Sequence, residues 1–106
     1  MSRIIKATPL PDHVLLLFFE SGHVKLLDMK AYIEKGGVWA EIESWQVFSQ
    51  VKVQEDLGGL MWPGEIDFCP DTAFKVSQPV PSALLRDLTI TYSRREEGTT
   101  DSQQIT

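Results

Sequence analysis

The densest set of reactive side chains in the sequence is acidic and lies between residues 53 and 74. This stretch contains no Lys or Arg but carries five carboxylates: Glu55, Asp56, Glu65, Asp67 and Asp71. Carboxylates held close together without cations repel one another, so such a group tends to take up a proton or to bind a cation. The same residues also stand beside Gly and Pro, where turns and helix caps favour them. Their spacing is not the alternating one, ending in Glu, that a calcium-binding loop requires.

Nucleophilic chemistry would depend on the single cysteine, Cys69. A catalytic thiol needs a His or another positive group beside it. The sequence neighbours of Cys69 are acids, which disfavour the thiolate, and His13 and His23 fall near opposite ends of one predicted hairpin. The sequence therefore predicts a buried structural thiol.

The sequence lacks metal, phosphate and hydrolase signatures. His13 and His23 have no ligand spacing between them and no second cysteine, so a zinc site is not expected. Gly58-Gly59 precedes no helix with a basic residue, which indicates a turn and not a phosphate cradle. The chain also has no Ser-His-Asp arrangement and no HExxH motif, so we expect no enzymatic activity, no metal and no cofactor.

The Trp62-Pro63-Gly64 turn has two interpretations. A tryptophan at a strand end can anchor a partner protein, because aromatic residues are over-represented in binding hot spots. It can equally fill the edge of a sheet against the helices, in which case Pro63-Gly64 only shapes the turn.

Length and composition indicate one domain in a reducing compartment. The chain has 106 residues, 42% of them apolar, and one cysteine, so it can build a core without disulfides. A formal charge of -5 disfavours direct nucleic-acid binding and would attract a basic protein partner. No apolar run approaches the length of a membrane span, and the N-terminus lacks the apolar region of a signal peptide. We therefore expect a cytoplasmic protein without membrane contact.

The elements that position these residues begin with three predicted strands. The first ends near Leu10, and the next two flank Ser21-Gly22 in a hairpin. With a two-residue loop, one hairpin face is wholly apolar and faces the core: Leu15, Leu17, Phe19, Val24 and Leu26. The second face is mixed and carries Leu16, Phe18 and Leu27, which a helix or a partner must cover.

The rest of the domain is predicted to form helices followed by short strands. A short helix with Asp28 as N-cap stops at Gly36-Gly37, and a second helical segment follows, with Ser44 as a cap within it. Strands are predicted on both sides of Gly58-Gly59, with a further extended piece before Cys69-Pro70. We predict an α+β fold, with a small mainly antiparallel sheet of about four or five strands and one or two helices on one face.

The predicted domain covers residues 1–76 and leaves a C-terminal addition. We expect residues 77–93 to be an apolar extension or arm containing Leu84, Leu85 and Leu88, and residues 94–106 to be a polar, disordered tail. The extension either wraps a partner, ordering on binding, or folds back onto the domain.

The order of several short motifs resembles the domain of unknown function 2442 family of small bacterial proteins. These are "PLPD", "LLLFFESGHVKLLDM", "GGVW", "VKV", Gly-Gly, "WP" and "IDF.PDT", which together cover about residues 3–75. The resemblance implies an α+β fold and no established enzymatic activity. It also implies proteins that stand alone, are fused to a DNA-binding domain or are encoded beside another small protein, as toxin–antitoxin pairs are. The fused form needs more chain than is present here.

We therefore expect the chain to be a non-enzymatic protein-interaction domain. A more specific form of this hypothesis makes it the antitoxin-like member of a bacterial two-protein system. Its partner would be another protein, and in the more specific hypothesis a small basic one. The apolar residues would equally suit a homodimer. The predicted contact residues are Leu16, Phe18, Leu27, Trp62, Asp67, Asp71, Leu84, Leu85 and Leu88. The alternative is a regulatory domain that binds a small molecule or cation through the acidic region 55–71.

Overall fold

The chain forms two antiparallel sheets and several short helices in a computed structural model, which describes residues 2–80. The main sheet has the strand order β1 (Ile4–Leu10), β2 (Val14–Phe19), β3 (Val24–Asp28) and β7 (Gln78–Pro79). The small sheet consists of β4 (Lys52–Val53), β5 (Leu60–Trp62) and β6 (Ile66–Phe68). The helices are α1 (Lys30–Lys35), a 3₁₀ helix (Gly37–Ile42), α2 (Trp45–Phe48) and α3 (Pro70–Val76). The α+β class is confirmed, with its strands divided between two sheets.

The hairpin of β2 and β3 has a longer loop than the sequence analysis predicted. The Phe19 amide donates to the His23 carbonyl at 2.9 Å, so the loop comprises residues 20–22, and Gly22 has a φ of 98°. A loop longer by one residue moves every β3 side chain to the other face of the sheet. Leu27 therefore joins Leu15 in the core at 1% exposure, and its predicted place on the second face is wrong.

The core lies between the two sheets and the helices. Its buried members from the main sheet are Ile4, Leu15, Leu17, Phe19 and Leu27; those from the small sheet are Leu60, Trp62, Ile66 and Phe68. The helical part adds Ile42, Phe48 and Ala73. The side chains that the helices bury all belong to this cluster, so the helices cover the same side of the main sheet.

Local chemistry explains where the helices begin and end. Asp28 accepts the Lys30 amide at 2.9 Å but precedes the N-cap of α1, Met29, by one residue. Burial opposes its ionisation, yet the Lys30 amide and ammonium hold the pKa of Asp28 below its usual value. Gly36, with a φ of 85°, ends α1, and Ser44 caps α2 by accepting the Val47 amide at 3.2 Å.

Helix α3 is fixed to the main sheet by Lys25. The Lys25 ammonium donates to the Phe74 carbonyl at 2.6 Å and lies 3.9 Å from the centroid of the Phe74 ring. A cation at a helix C-terminus and over an aromatic face is favourable in both respects.

The chain continues from α3 into β7, which pairs with β3. Residues 78–79, which the sequence analysis placed in the extension, therefore belong to the main sheet. The remainder of the extension, with Leu84, Leu85 and Leu88, and the tail lie outside the described residues.

Candidate functional site

The outer face of the small sheet carries a row of three different side chains. Met61 is the cross-strand partner of Lys52 on one side and of Asp67 on the other. Because side chains alternate along a strand, these three point away from the core, while their neighbours Leu60 and Trp62 point into it. The row therefore presents an ammonium, a thioether and a carboxylate to solvent.

Two concavities meet on this row. The larger, of about 600 Å³, is lined by Lys52, Val53, Gln54, Glu55, Asp56, Leu57 and Met61. The smaller, of about 370 Å³, is lined by Gln50, Lys52, Met61, Trp62, Pro63, Gly64 and Glu65. Both include Lys52 and Met61, so they lie side by side and form one uneven depression that these two residues divide. We call these lining residues, together with Asp67, the small-sheet surface.

The charge of the small-sheet surface is predominantly negative. Four of the five acids from the sequence analysis are exposed on it: Glu55, Asp56, Glu65 and Asp67. The Arg3 guanidinium approaches the same loop but donates to the backbone carbonyls of Glu55 and Asp56. The carboxylates of that loop therefore remain directed to solvent.

Asp71 takes no part in this surface. Its carboxylate accepts the Ser2 amide at 2.8 Å at the start of α3, which ties the helix to the N-terminal strand. The predicted acidic region 55–71 is thus divided between a surface and a structural contact. Within residues 2–80 no group of three His, Cys, Asp or Glu residues has the geometry to hold a metal ion.

Three predicted contact residues are buried and have no side-chain surface to offer a partner. Leu16 and Leu27 are 1% exposed, and Trp62 is 2% exposed. The Trp62 indole donates to the Phe48 carbonyl at 3.1 Å, which supports the interpretation that it fills the edge of the core. Of the other described contact residues, Phe18 is half-buried with the Lys6 ammonium 5.6 Å from its ring centroid, and Asp67 is exposed.

The sequence analysis missed the two exposed apolar side chains of the small-sheet surface. Leu57 is 60% exposed and Met61 is 36% exposed. A signal for Met61 was present, since strict alternation in Leu60-Met61-Trp62 puts the middle residue on the opposite face from its two neighbours.

Cys69 is exposed, which corrects its predicted burial. It is the N-cap residue of α3, with Pro70 in the first turn. The Thr72 amide, followed by the Asp71 amide, stabilises the thiolate and lowers the pKa of Cys69, although the Asp71 charge acts in the opposite direction. The expectation that neighbouring acids decide this pKa is therefore wrong.

We expect alkylation of Cys69 by iodoacetamide to rise at lower pH in the folded chain than in the urea-unfolded chain. The folded thiol has the lowered pKa, so its thiolate is present at pH values where the unfolded thiol is still protonated. The midpoint of rate against pH measures this directly. Thr72→Val keeps the backbone amide, which is the main cause, but removes the hydroxyl that also lowers the pKa of Cys69, so its midpoint should rise and still stay below that of the unfolded chain. Equal midpoints for the folded and unfolded chains would contradict the assignment.

The two histidines make separate structural contacts. His13 Nε2 lies 2.5 Å from the Glu43 carbonyl oxygen, with the ring edge against Phe48. His23 Nδ1 lies 2.8 Å from the Ser21 hydroxyl, with its ring against Phe74. Its hydrogen-bond partner is thus the loop serine.

The comparisons with known proteins give a family and no further relative. A family model described as "Protein of unknown function (DUF2442)" matches residues 4–74, which is more than half of the chain. No curated protein and no solved structure matches the chain. Among the described residues, no helix has the length and apolar character needed to cross a membrane.

Proposed function

Because the chain belongs to the DUF2442 family of proteins of unknown function, we propose its role from its own surface: a non-enzymatic protein-interaction domain that binds a basic partner. The single observation that carries the proposal is the small-sheet surface. It combines a concave shape, exposed apolar side chains and a rim of carboxylates.

The apolar part of this surface supports the burial of a partner side chain. Met61 lies at the junction of the two concavities, and Leu57 lines the larger one. Methionine is unbranched and adapts its shape to a partner, which makes it common at binding surfaces. Apolar side chains inside a depression with a polar rim are typical of protein-binding sites.

The charge of the rim supports a basic partner. Four carboxylates surround Met61, against the Lys52 ammonium and the Arg3 guanidinium beside the loop 55–56, and the whole chain carries a formal charge of -5. Such a field attracts a cationic protein and repels an acidic one, so it contributes selectivity and a faster encounter. A small basic protein encoded beside this chain would fit the antitoxin-like role.

The chemistry of the lining residues favours binding over catalysis. They supply carboxylates, two glutamines and a lysine, and these described residues include no Cys, His or Ser nucleophile with a base beside it. The cation-binding alternative gains no support from the positions of the acids, since they surround the depression and do not converge.

We expect a short synthetic peptide of alternating lysine and leucine to bind at this surface. When the peptide is titrated into the labelled protein, the changes in the backbone amide chemical shifts measured by nuclear magnetic resonance should concentrate on β4, β5 and the loop 54–58. Met61→Ser should raise the dissociation constant about tenfold, because it removes the central apolar contact. Val38→Ser is the matched control, since Val38 is 49% exposed on the 3₁₀ helix, outside the small-sheet surface.

Charge variants test the rim. Asp67→Asn should weaken the same peptide and reduce the salt dependence of binding, whereas Glu34→Gln, on exposed α1, should not. A peptide of alternating glutamate and leucine should not bind. Binding that both peptides share, or that Met61→Ser and Val38→Ser weaken equally, would contradict the proposal.

A further inference from the structure

The second face of the main sheet is apolar although no helix of residues 2–80 covers it. We call it the back face; its apolar members on β2 and β3 are Val14, Leu16, Phe18, Val24 and Leu26, and Leu10 of β1 is the partner of Val14. The side chains that the helices bury belong to the core on the other side. An antiparallel sheet with one solvated face normally carries polar residues there, and β2 is instead apolar at every position.

Leu16 is the central residue of the back face and is 1% exposed. Its strand neighbours Leu15 and Leu17 point into the core, so Leu16 points away from it. Its cross-strand partners are Thr8 and Leu26, both only half-buried. The centre of the back face thus has the burial of a second, smaller core.

The chain leaves the described residues at the edge of this same sheet. The Val80 amide donates to the Val24 carbonyl at 3.3 Å, so the chain at Val80 still lies beside β3. Two strand spacings, about 10 Å, separate β7 from β2. Leu84 follows four residues later, and an extended chain covers about 13 Å in that distance. Residues from Leu84 onward can therefore reach Leu16 and Phe18.

We propose that residues 83–92 of the same chain cover the back face. This segment carries six apolar residues, namely Ala83, Leu84, Leu85, Leu88, Ile90 and Tyr92, whereas the residues after it are almost all polar. Covalent attachment at the sheet edge gives the segment a high effective concentration at this face, ahead of a second copy or another protein. The family match ends at residue 74, so the cover is an addition of this chain to the family fold.

This inference is independent of the proposed function, because the back face and the small-sheet surface belong to different sheets. It does, however, limit how a partner can bind. A segment that covers Leu16 is not available to wrap another protein.

Methyl-labelled full-length protein tests the proposal. We expect nuclear Overhauser effects from the methyl groups of Leu16 and Leu26 to those of at least two of Leu84, Leu85 and Leu88. They should appear in uniformly labelled protein and not between differently labelled copies in a mixed sample. Effects found only between copies would assign the face to a dimer, and none at all would leave it uncovered; either result overturns the proposal.

Melting of full-length variants gives a second, independent measurement. Leu88→Ser should lower the melting temperature by several degrees, because it removes an apolar contact from a buried face. Ile105→Ser makes the same kind of change in the polar end of the chain and should leave the melting temperature unchanged. Equal changes in melting temperature for Leu88→Ser and Ile105→Ser would contradict the proposal that residues 83–92 cover the back face.

Discussion

Trp62→Ala is expected to lower the free energy of unfolding by about 3–5 kcal/mol, the range for removing a large buried aromatic side chain. Trp62 is 2% exposed, stacks on Phe48 with ring centroids 6.3 Å apart and meets Trp39 edge-on at 6.0 Å. Alanine would leave a cavity between the small sheet and the helices. Small domains have about 5–15 kcal/mol in total, so the variant loses much of its stability. Urea unfolding followed by far-ultraviolet circular dichroism measures the loss.

Two further substitutions separate the contributions to this effect. Trp62→Phe keeps an aromatic ring against Phe48 but removes the indole N–H that the Phe48 carbonyl accepts, and should cost about 1–3 kcal/mol. Trp45→Ala is the control for removing an indole, since Trp45 is 52% exposed, and should cost about 1 kcal/mol or less. If Trp45→Ala proved as damaging as Trp62→Ala, the assignment of Trp62 to the core would be wrong.

Turn and cap chemistry made the local elements predictable. Gly36 ends α1 and Ser44 caps α2, each by a mechanism that depends on neighbouring residues alone. Helix α3 was not predicted, although Pro70 stands in its first turn. The burial of Trp62 was one of two interpretations, because a strand-end tryptophan looks the same in sequence whether it faces the core or a partner. Only the packing of Phe48 and Trp39 against it decides between them.

The hairpin register was not predictable, because a Ser-Gly dipeptide fits loops of two or three residues. Every position of β2 is apolar, so β2 gives no clue to which of its faces belongs to the core. The register depends on burying Leu27 instead of Leu26, which is a property of the whole core. The alternation of side chains around Met61 did indicate that Met61 faces away from the core. The strands of the small sheet are so short, however, that an alternation over three residues is a weak signal.

The thiol of Cys69 was predicted from the wrong neighbours. Acidic residues nearby in sequence suggested that the thiol would stay protonated. In the folded chain the backbone amides of Thr72 and Asp71 favour the thiolate, and their effect on the pKa of Cys69 outweighs that of the Asp71 carboxylate. The Cys69-Pro70 step was the available signal, since Pro in a first turn places the preceding residue at the N-cap.

The junction between the two sheets requires glycine at position 58. The Gly58 carbonyl accepts the Ile4 amide at 2.9 Å, which joins the loop of the small sheet to the first strand of the main sheet. A Cβ atom on Gly58 would lie 2.4 Å from Arg3 Cγ and 3.2 Å from Arg3 Cα. Gly58 also has a φ of 73°, a conformation that residues with side chains adopt at a cost.

Gly58→Ala is therefore expected to lower the free energy of unfolding by about 3 kcal/mol, about 1–2 from the left-handed backbone and the rest from the clash with Arg3. Gly37→Ala isolates the first contribution, because Gly37 has a φ of 64° and no atom within 4 Å of its added Cβ. It should cost only about 1–2 kcal/mol. Urea unfolding of both variants measures the difference.

The same variant connects stability to the small-sheet surface. The Gly58 amide donates to the Gln54 carbonyl at 2.8 Å and so closes the loop that carries Glu55, Asp56 and Leu57. If Arg3 moves to admit a Cβ, the loop carbonyls lose its guanidinium, and the larger concavity changes shape. Gly58→Ala should then weaken the lysine–leucine peptide as well as the fold, whereas Gly37→Ala should affect the fold alone. Equal losses of stability for the two variants would mean that Arg3 and the loop separate at no cost, and that the sheets are not joined at Gly58.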